Sequence, residues 1–278
     1  MTMPIIAYQG EPGAFSEKAA RALFGKRSTT KPKPTFKEVF RFASSSGTHC
    51  GVIPIENSLF GSVHENYDLL LRHKLYIVGE VKLRIRLHLM ALPGVSLKEV
   101  KAVYSHLQAL GQCEQFLRKL KDVEVVAQYD TAGSAKMIRE QNKKDVAAVA
   151  SAEAARVYGL RILRRNVESN HHNFTRFLLL SRKRAPSSRQ MKTSVVFAVR
   201  NIPGALFKAL GSFALREINL LKIESRPLVG KPWQYLFYLD IEGSERDPNI
   251  IAALKHLQEL STLVRVLGSY PIGKTILT

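Results

Sequence analysis

Cysteine is scarce in this chain: Cys50 and Cys113 are the only two thiols among 278 residues. Two are too few for a disulfide framework or a four-thiolate zinc site. A reducing, cytosol-like compartment is the default, and each thiol reads as a small buried apolar side chain. Long apolar runs are missing too. Stretches such as "FLLL" and "AAVA" fall far short of the ~20 residues that a membrane helix needs, so no membrane partner is expected. "MTMPIIAYQG" carries no basic segment followed by an apolar core and a small-residue cleavage site, which argues against a secretory signal. The expectation is a cytoplasmic protein, with a plastid left open because a removed transit peptide leaves no trace.

Acidic residues are the other shortage. Forty-two Lys and Arg against 23 Asp and Glu leave a formal net charge of +19. Such a balance raises the question of nucleic acid. The basic residues are scattered, however, through "RKLKD", "QNKKD", "RILRRN" and "SRKR", without a helix-turn-helix, zinc-finger or RNA-recognition pattern. A field that attracts a small polyanionic substrate is the simpler expectation, with no specific nucleic-acid partner. Metal motifs are absent as well: His171 and His172 cannot place both rings on one helix face, and neither HExxH nor paired Cys/His spacing occurs. There is no GxSxG and no Cys–His motif for nucleophilic catalysis. "YQGEPGAF" lacks the dinucleotide and Walker spacings. Its Gly10 and Gly13 read either as a tight strand-to-helix turn or as backbone N–H groups offered to an anion.

What the chain does have is a recurring unit of apolar strand, turn of small or hydroxyl residues, and helix. "IIAYQGEPGAFSEKAARALF", "KAVYSHLQALGQCEQFLRKL", "VEVVAQYDTAGSAKMIRE" and "DVAAVASAEAARVYGL" follow it, and "CGVIPIENSLFGSVHENYDLLLRH" does so with a longer turn. This alternation predicts an α/β fold with mostly parallel pairing and ligands beyond the carboxyl ends of the strands. "SRKRAPSSRQMK" then reads as a solvated linker. After it the order becomes βαββαβ, the ferredoxin-like order, over ~80 residues. In that part Pro203 suits the first turn of one helix and Asp247-Pro248 opens another. Tyr235, Phe237, Leu239 and Ile241 share one strand face, and Ile250, Leu254 and Leu257 form a helical stripe.

Uncharged polar residues gather at the strand-to-helix turns: Asn57 and Ser58 in "PIENS", Ser105, His106 and Gln108 in "YSHLQA", Thr131 in "DTAG", Asn173 and Thr175 in "NFTRF". Each alone reads as a helix cap. Together they predict one cleft that holds a small polar anion through neutral donors, helix N-termini and Arg176.

At these residues the sequence resembles the prephenate dehydratase family, with its closely related arogenate dehydratases. "YQGEPGAFS", "PIENSLFGSVHENYDLLL", "SHLQALGQC", "DTAGSAKMI" and "NFTRF" are similar to its catalytic motifs, in order, and "GALFKAL" and "KIESRP" to those of its C-terminal ACT domain. The resemblance implies a two-subdomain, type II periplasmic-binding-protein-like catalytic domain over 1–181, its second subdomain inserted near 80–165. A linker at 182–192 and a ferredoxin-like ACT domain at 193–278 would follow. It implies conversion of prephenate to phenylpyruvate without a cofactor, the catalytic residue being Thr175. Asn57, Ser58, Ser105, Gln108, Thr131, Asn173, Phe174 and Arg176 are then the substrate-binding candidates. Arg176 either grips a substrate carboxylate or makes a structural ion pair with Glu56 or another acid. L-phenylalanine is the implied effector, at Asn201, Pro203, Gly204, Ala205 and Leu206 and at Glu224, Ser225, Arg226 and Pro227, in a homodimer or a tetramer of dimers. Its coupling to the active site would be ~1–3 kcal/mol. An arogenate dehydratase and a non-enzymatic amino-acid sensor are the alternatives; the intact "TRF" argues against the sensor. The family usually has proline where this chain has Leu107, which is expected to loosen the turn that carries Ser105 and His106.

Overall fold

The computed structural model describes residues 4–25, 28–188, 190–228 and 230–277, so Arg189 of the expected linker, residues 1–3 and Thr278 lie outside the description. The chain begins with β1 (Ile5–Gln9), α1 (Phe15–Phe24), β2 (Thr29–Lys33), α2 (Phe36–Ser45), β3 (His49–Asn57), the short β4 (Gly61–Ser62), α3 (His64–Arg72) and β5 (Tyr76–Arg84). It crosses into β6 (His88–Ala91), a 3-10 turn (Leu97–Glu99), β7 (Ala102–His106), α4 (Leu107–Gln112), α5 (Glu114–Leu117), β8 (Glu124–Gln128), α6 (Thr131–Glu140), β9 (Val146–Ala150), α7 (Ala152–Tyr158) and β10 (Arg161–Arg164). It returns through β11 (Phe174–Ser181) and ends in β12 (Met191–Ala198), α8 (Ala205–Ala214), β13 (Leu220–Pro227), β14 (Tyr235–Glu242), α9 (Pro248–Leu260), β15 (Leu263–Pro271) and β16 (Thr275–Ile276).

Three sheets result, ordered β16-β5-β11-β3-β1-β2 (with β4 on β3), β10-β6-β9-β7-β8, and β13-β14-β12-β15. The first two are the lobes of a periplasmic-binding-protein-like unit. Their pairing is not mostly parallel as expected: β11 runs antiparallel to both β3 and β5, and β6 runs antiparallel to both β9 and β10. The reason is the return path, since strands that carry the chain back between lobes run against those that carry it out. β5 stays in the first sheet through Arg84 and β11 rejoins it at Phe174, so the second lobe spans 85–173 rather than 80–165. β16 also returns to the first sheet, beside β5, so the last residues do not belong to the third sheet.

The expected linker is shorter and less solvated than its composition suggests. Met191 and Lys192 already belong to β12, Ala185 is buried, and Arg184 pairs with Glu245 and lies over the Tyr76 ring. The third sheet has the βαββαβ connectivity. Val195, Phe197, Leu239 and Ile241 pack under α8 and α9 with Ile250, Leu254 and Leu257. Helix α8 begins at Ala205 after Gly204 at φ 75°, so Pro203 sits in the preceding turn rather than in the helix. Asp247 does precede α9, but its carboxylate accepts the Ser244 N–H (2.7 Å) instead of a helix N–H.

The other face of this sheet is buried as well. Val196, Leu236, Tyr238, Leu267 and Tyr270 share one apolar cluster with Ile53, Ile55, Tyr67, Leu70, Ile77, Leu178 and Leu180 of the first lobe. The third sheet is thus packed onto the back of the sheet whose strand ends form the cleft. Tyr67 and Tyr238 meet edge to face at 4.8 Å, and the Tyr238 hydroxyl donates to the Tyr67 carbonyl at 2.9 Å.

Candidate active site

A cleft of about 370 Å³ opens between the first two lobes. Its floor is the junction of β3 and β11, where Thr175 stands directly opposite Asn57. The Asn57 side chain is fully committed. Its Oδ1 accepts the N–H groups of Leu59 (2.9 Å) and Phe60 (3.1 Å), which fixes the amide's orientation. Its Nδ2 then donates both hydrogens, to Asn173 Oδ1 (2.8 Å) and to Thr175 Oγ1 (2.9 Å). A hydroxyl has one proton to give. Because Thr175 accepts from Asn57, its own proton is left for whatever occupies the cleft.

Ser58 and Phe174 brace this pair. Ser58 N–H donates to the Phe174 carbonyl (2.8 Å), and Phe174 N–H donates to Ser58 Oγ (2.9 Å). Ser58 Oγ gives its proton to the His172 carbonyl at 2.8 Å, which leaves none for a ligand. Asn173 is fully buried; its carbonyl accepts the Ile85 N–H (2.7 Å), and its Nδ2 has no partner among the described residues. Ser58, Asn173 and Phe174 therefore stand behind Thr175, and none of the three lines the cleft.

The second lobe contributes Gln108 from α4 and Thr131 from the start of α6, both on the cleft wall with Asn57 and Thr175. His106 caps α4, its Nδ1 accepting the Gln108 N–H at 3.3 Å, and its ring also lines the cleft. Leu107 is the first residue of α4 and is 69% exposed. The expected loosening has no counterpart here, because Ser105 is held inside β7. Two further expected substrate contacts, in addition to Ser58, Asn173 and Phe174, lie outside the cleft lining. Ser105 is fully buried and donates to the Val149 carbonyl (2.6 Å). Arg176 points to the opposite face of β11, where it bonds Glu80 and Asp240, each at 2.6 Å, and the Tyr270 hydroxyl at 3.0 Å. Of the two readings of Arg176, the structural ion pair is the one its geometry supports, with Glu56 a distant third carboxylate at 4.0 Å.

Burial works against the charges of Glu80 and Asp240, but Arg176 and Lys192 outweigh it and hold both carboxyls below their ordinary range. Asp130 behaves oppositely. Burial raises its carboxyl above the ordinary range although it accepts N–H groups from Glu11 (2.8 Å) and Ala132 (3.0 Å). The bond from Glu11 ties the lobes together, and the one from Ala132 caps α6. The N–H of Gly13 likewise goes to Glu17 Oε2 (2.7 Å), and that of Gly10 to the Lys33 carbonyl (2.9 Å). The turn does gather anions, but they are the protein's own carboxylates, so the anion-site reading of "YQGEPGAF" gives way to that of a turn. Gly10 is required there: its φ is +106°, and a Cβ would stand 2.8 Å from Asp130 Oδ2. Tyr129 also lines the cleft, its phenol pushed up to about 12 by burial and by Glu11. No lysine or arginine is among the described lining residues, so the donors that this wall offers are mainly neutral.

Gln9, Ser16, Gln112, Tyr129 and Asp130 line the cleft without having been singled out from sequence. Gln9 ends a strand, and Gln112 lies one helical turn beyond Gln108; both positions carried a usable signal. His171 and His172 are exposed, and His171 faces Glu168 at 3.4 Å. Among the described residues no helix is long and apolar enough to cross a membrane.

The proposed effector residues occupy one end of the third sheet. Ala198 and Arg226 both pair with Leu236, so the loop from Asn201 through Pro203 and Gly204 to Ala205 and Leu206 starts two strands away from Arg226 and Pro227. Ser225 and Pro227 are exposed, whereas the side chains of Glu224 and Arg226 turn to the first lobe. Glu224 accepts from Ser62 (2.7 Å), and Arg226 lies 3.4 Å from Asp68.

Two lobes around a polar cleft, with a third ferredoxin-like sheet packed behind, define a periplasmic-binding-protein-like α/β enzyme. The model of the prephenate dehydratase family matches residues 6–185. Arogenate dehydratase/prephenate dehydratase 2, chloroplastic, of Arabidopsis thaliana is 48% identical, over 98% of this chain and 74% of its own. A solved prephenate dehydratase from Arthrobacter aurescens, in complex with L-Phe, superposes with a TM-score of 0.88 at 31% identity, covering 96% of this chain and 89% of that one. A solved structure named GqqA, described as a novel type of quorum quenching acylase, gives 0.87 at 38% identity over 96% and 98%. The chain belongs to the prephenate dehydratase family and is, by class, a carbon–oxygen hydro-lyase of phenylalanine biosynthesis.

Proposed function

We propose that the enzyme converts prephenate to phenylpyruvate, with Thr175 as the catalytic hydroxyl. The observation that carries this is the direction of the Asn57–Thr175 hydrogen bond, which leaves the Thr175 proton facing the cleft. In the reaction the bond from the ring to its carboxylate breaks, and carbon dioxide leaves. The freed electron pair moves into the ring, which becomes aromatic, and the ring hydroxyl departs as water after taking up one proton from solvent. Thr175 donates a hydrogen bond to that hydroxyl as charge builds on it. Gln108, Thr131 and the Asn57-braced turn orient the substrate. A threonine hydroxyl is a weak acid, so it works by orientation and stabilisation, and a preorganised donor of this kind contributes ~10²–10³-fold.

Arogenate, which carries an amino group in place of the keto group, is the second substrate to weigh, because the 48% identical relative bears both names. Supplying each compound separately to the purified protein tests the two. Phenylpyruvate from prephenate supports the first, selective phenylalanine formation from arogenate supports the second, and no turnover of either refutes both. An acylase reading finds less support: the partner of Thr175 is an amide donor, not a base that removes its proton.

The third sheet is proposed to be an ACT regulatory domain that binds L-phenylalanine at Asn201–Leu206 and Glu224–Pro227 between two copies of the chain. The L-Phe in the related Arthrobacter structure supports this. An L-Phe-dependent change in rate and melting temperature is expected; the absence of both refutes the assignment. A plastid is the compartment of the Arabidopsis relative; fractionation of the source cells decides between plastid and cytoplasm.

A further inference from the structure

Residues 56–57 and 175–176 face each other across β3 and β11, Thr175 paired with Asn57 and Arg176 with Glu56. Neighbouring side chains of a strand point to opposite faces. Asn57 and Thr175 therefore meet in the cleft, and Glu56 and Arg176 meet behind it. The groups behind it come mainly from the third sheet. Arg176 is held by Asp240 of β14 (2.6 Å) and Tyr270 of β15 (3.0 Å), with Glu80 of β5 on its Nε (2.6 Å). Lys192 of β12 bonds Glu80 at 2.7 Å, and Ser194 bridges Tyr270 (2.6 Å) and Asp240. Glu56 is held by Lys222 of β13.

Two cations and two carboxylates of the central group are all nearly inaccessible, with side chains at most 9% exposed. Burying such a group is costly and gains little over an apolar replacement, so its net stability is weak grounds for its presence. What it supplies is geometry. Three directions of the Arg176 guanidinium are tied to three strands, which leaves the backbone at 175–176 little freedom along or across the sheet. The Asn57–Thr175 contact, one residue away, needs that restraint because it is a single 2.9 Å bond.

We propose that Arg176 is a positioning residue for Thr175, and that Asp240 and Tyr270 of the third sheet hold it in place. The sheet is then part of the active-site scaffold, acting on the catalytic hydroxyl through the back of the strand. This rests on the assignment of Thr175 as the catalytic group.

The test is a double-mutant cycle with prephenate or arogenate, whichever is turned over. Asp240→Asn and Tyr270→Phe are each made in the native and in the Thr175→Ala background. Misplacement by about 1 Å costs up to ~10²-fold in rate. The expected loss of kcat is about tenfold for Asp240→Asn and about threefold for Tyr270→Phe. KM is expected to stay within about twofold. In the Thr175→Ala background both losses are expected to shrink to less than about twofold, since there is no hydroxyl left to misplace. Equal losses in both backgrounds, or none in a folded native-background variant, overturn the proposal. Thr175→Ala alone reports on the catalytic assignment: a wild-type rate there refutes that assignment, and the positioning role with it. Tyr270→Phe keeps the ring and serves if Asp240→Asn fails to fold. A second measurement needs no turnover. The methyl resonance of 13C-labelled Thr175, assigned by its loss in Thr175→Ala, is expected to move in Tyr270→Phe. An unmoved resonance overturns the proposal.

Discussion

Asn57→Asp is the most informative single change, because it keeps the shape of the side chain and reverses the polarity of the two bonds that Nδ2 donates. The oxygen that accepts from Leu59 and Phe60 N–H is retained. The other terminal atom changes from a donor into an acceptor, 2.9 Å from Thr175 Oγ1 and 2.8 Å from Asn173 Oδ1. Asn173 can relieve its side of the conflict by a half-turn of its amide, which brings the unpartnered Nδ2 onto the new carboxylate. Thr175 relieves its side by donating its proton to that carboxylate, and the substrate then loses its donor. Asn57→Ala differs in both respects. It leaves the Leu59 and Phe60 N–H groups without their acceptor but does not capture the Thr175 proton.

The two variants should therefore rank in opposite orders for stability and for activity. The Asp variant is expected to be more stable than the Ala variant by about 0.5–1.5 kcal/mol, the net worth of a hydrogen bond kept at the exposed Leu59 and Phe60 N–H groups. It is also expected to be the slower enzyme. Loss of one neutral hydrogen bond of about 1 kcal/mol predicts a kcat for Asn57→Ala about fivefold below wild type. Capture of the donor predicts about 10²-fold or more for Asn57→Asp. Urea denaturation gives the first ranking and initial rates under saturating substrate give the second. A kcat for Asn57→Asp equal to or above that of Asn57→Ala, both folded, refutes the donor role of Thr175.

Glu80 and Asp240 titrate below their ordinary range in the folded protein, so on acidification the unfolded chain takes up protons first. The stability they contribute is full above the ordinary carboxylate range of about 4 and is lost as the pH falls through that range and on through their lower folded values. Denaturation midpoints at pH 7, 5 and 3.5 check this, and a flat profile refutes it. Gly13→Ala should destabilise more than Gly25→Ala: both glycines have φ +89°, but a Cβ at 13 meets Ala154 Cα at 2.6 Å while position 25 is open. Equal midpoints for the two variants contradict tight lobe contact at Gly13. Leu107→Pro is expected to be tolerated and to stabilise by about 0.4–1 kcal/mol, since the site is an exposed first helical position. A lower midpoint than wild type counts against that.

The cleft was legible to the extent that its residues are set by strand ends. Asn57, Gln108, Thr131 and Thr175 follow one rule, that turns at the carboxyl edge of a sheet gather polar groups, and all four line the one cleft. The errors come from neighbours of those residues. Once "NFTRFLLL" is read as a strand, Thr175 and Arg176 cannot face the same way, and alternation alone separates the hydroxyl from the guanidinium. Ser105 is a similar case, a strand-interior hydroxyl satisfied by a carbonyl 44 residues away. The carboxylate that fills the Gly10–Gly13 turn lies 119 residues from its N–H donor, and no local pattern announces such a pairing. Strand β14 was harder still. Phe237, Leu239 and Ile241 marked one buried face, which made Leu236, Tyr238 and Asp240 look like the solvent side. Asp240 on an apolar strand between two burial faces is informative in retrospect. A carboxylate so placed requires a buried cation, and the chain supplies it from the strand that carries the catalytic candidate, which is why the third sheet and the cleft are one mechanical unit in this reading.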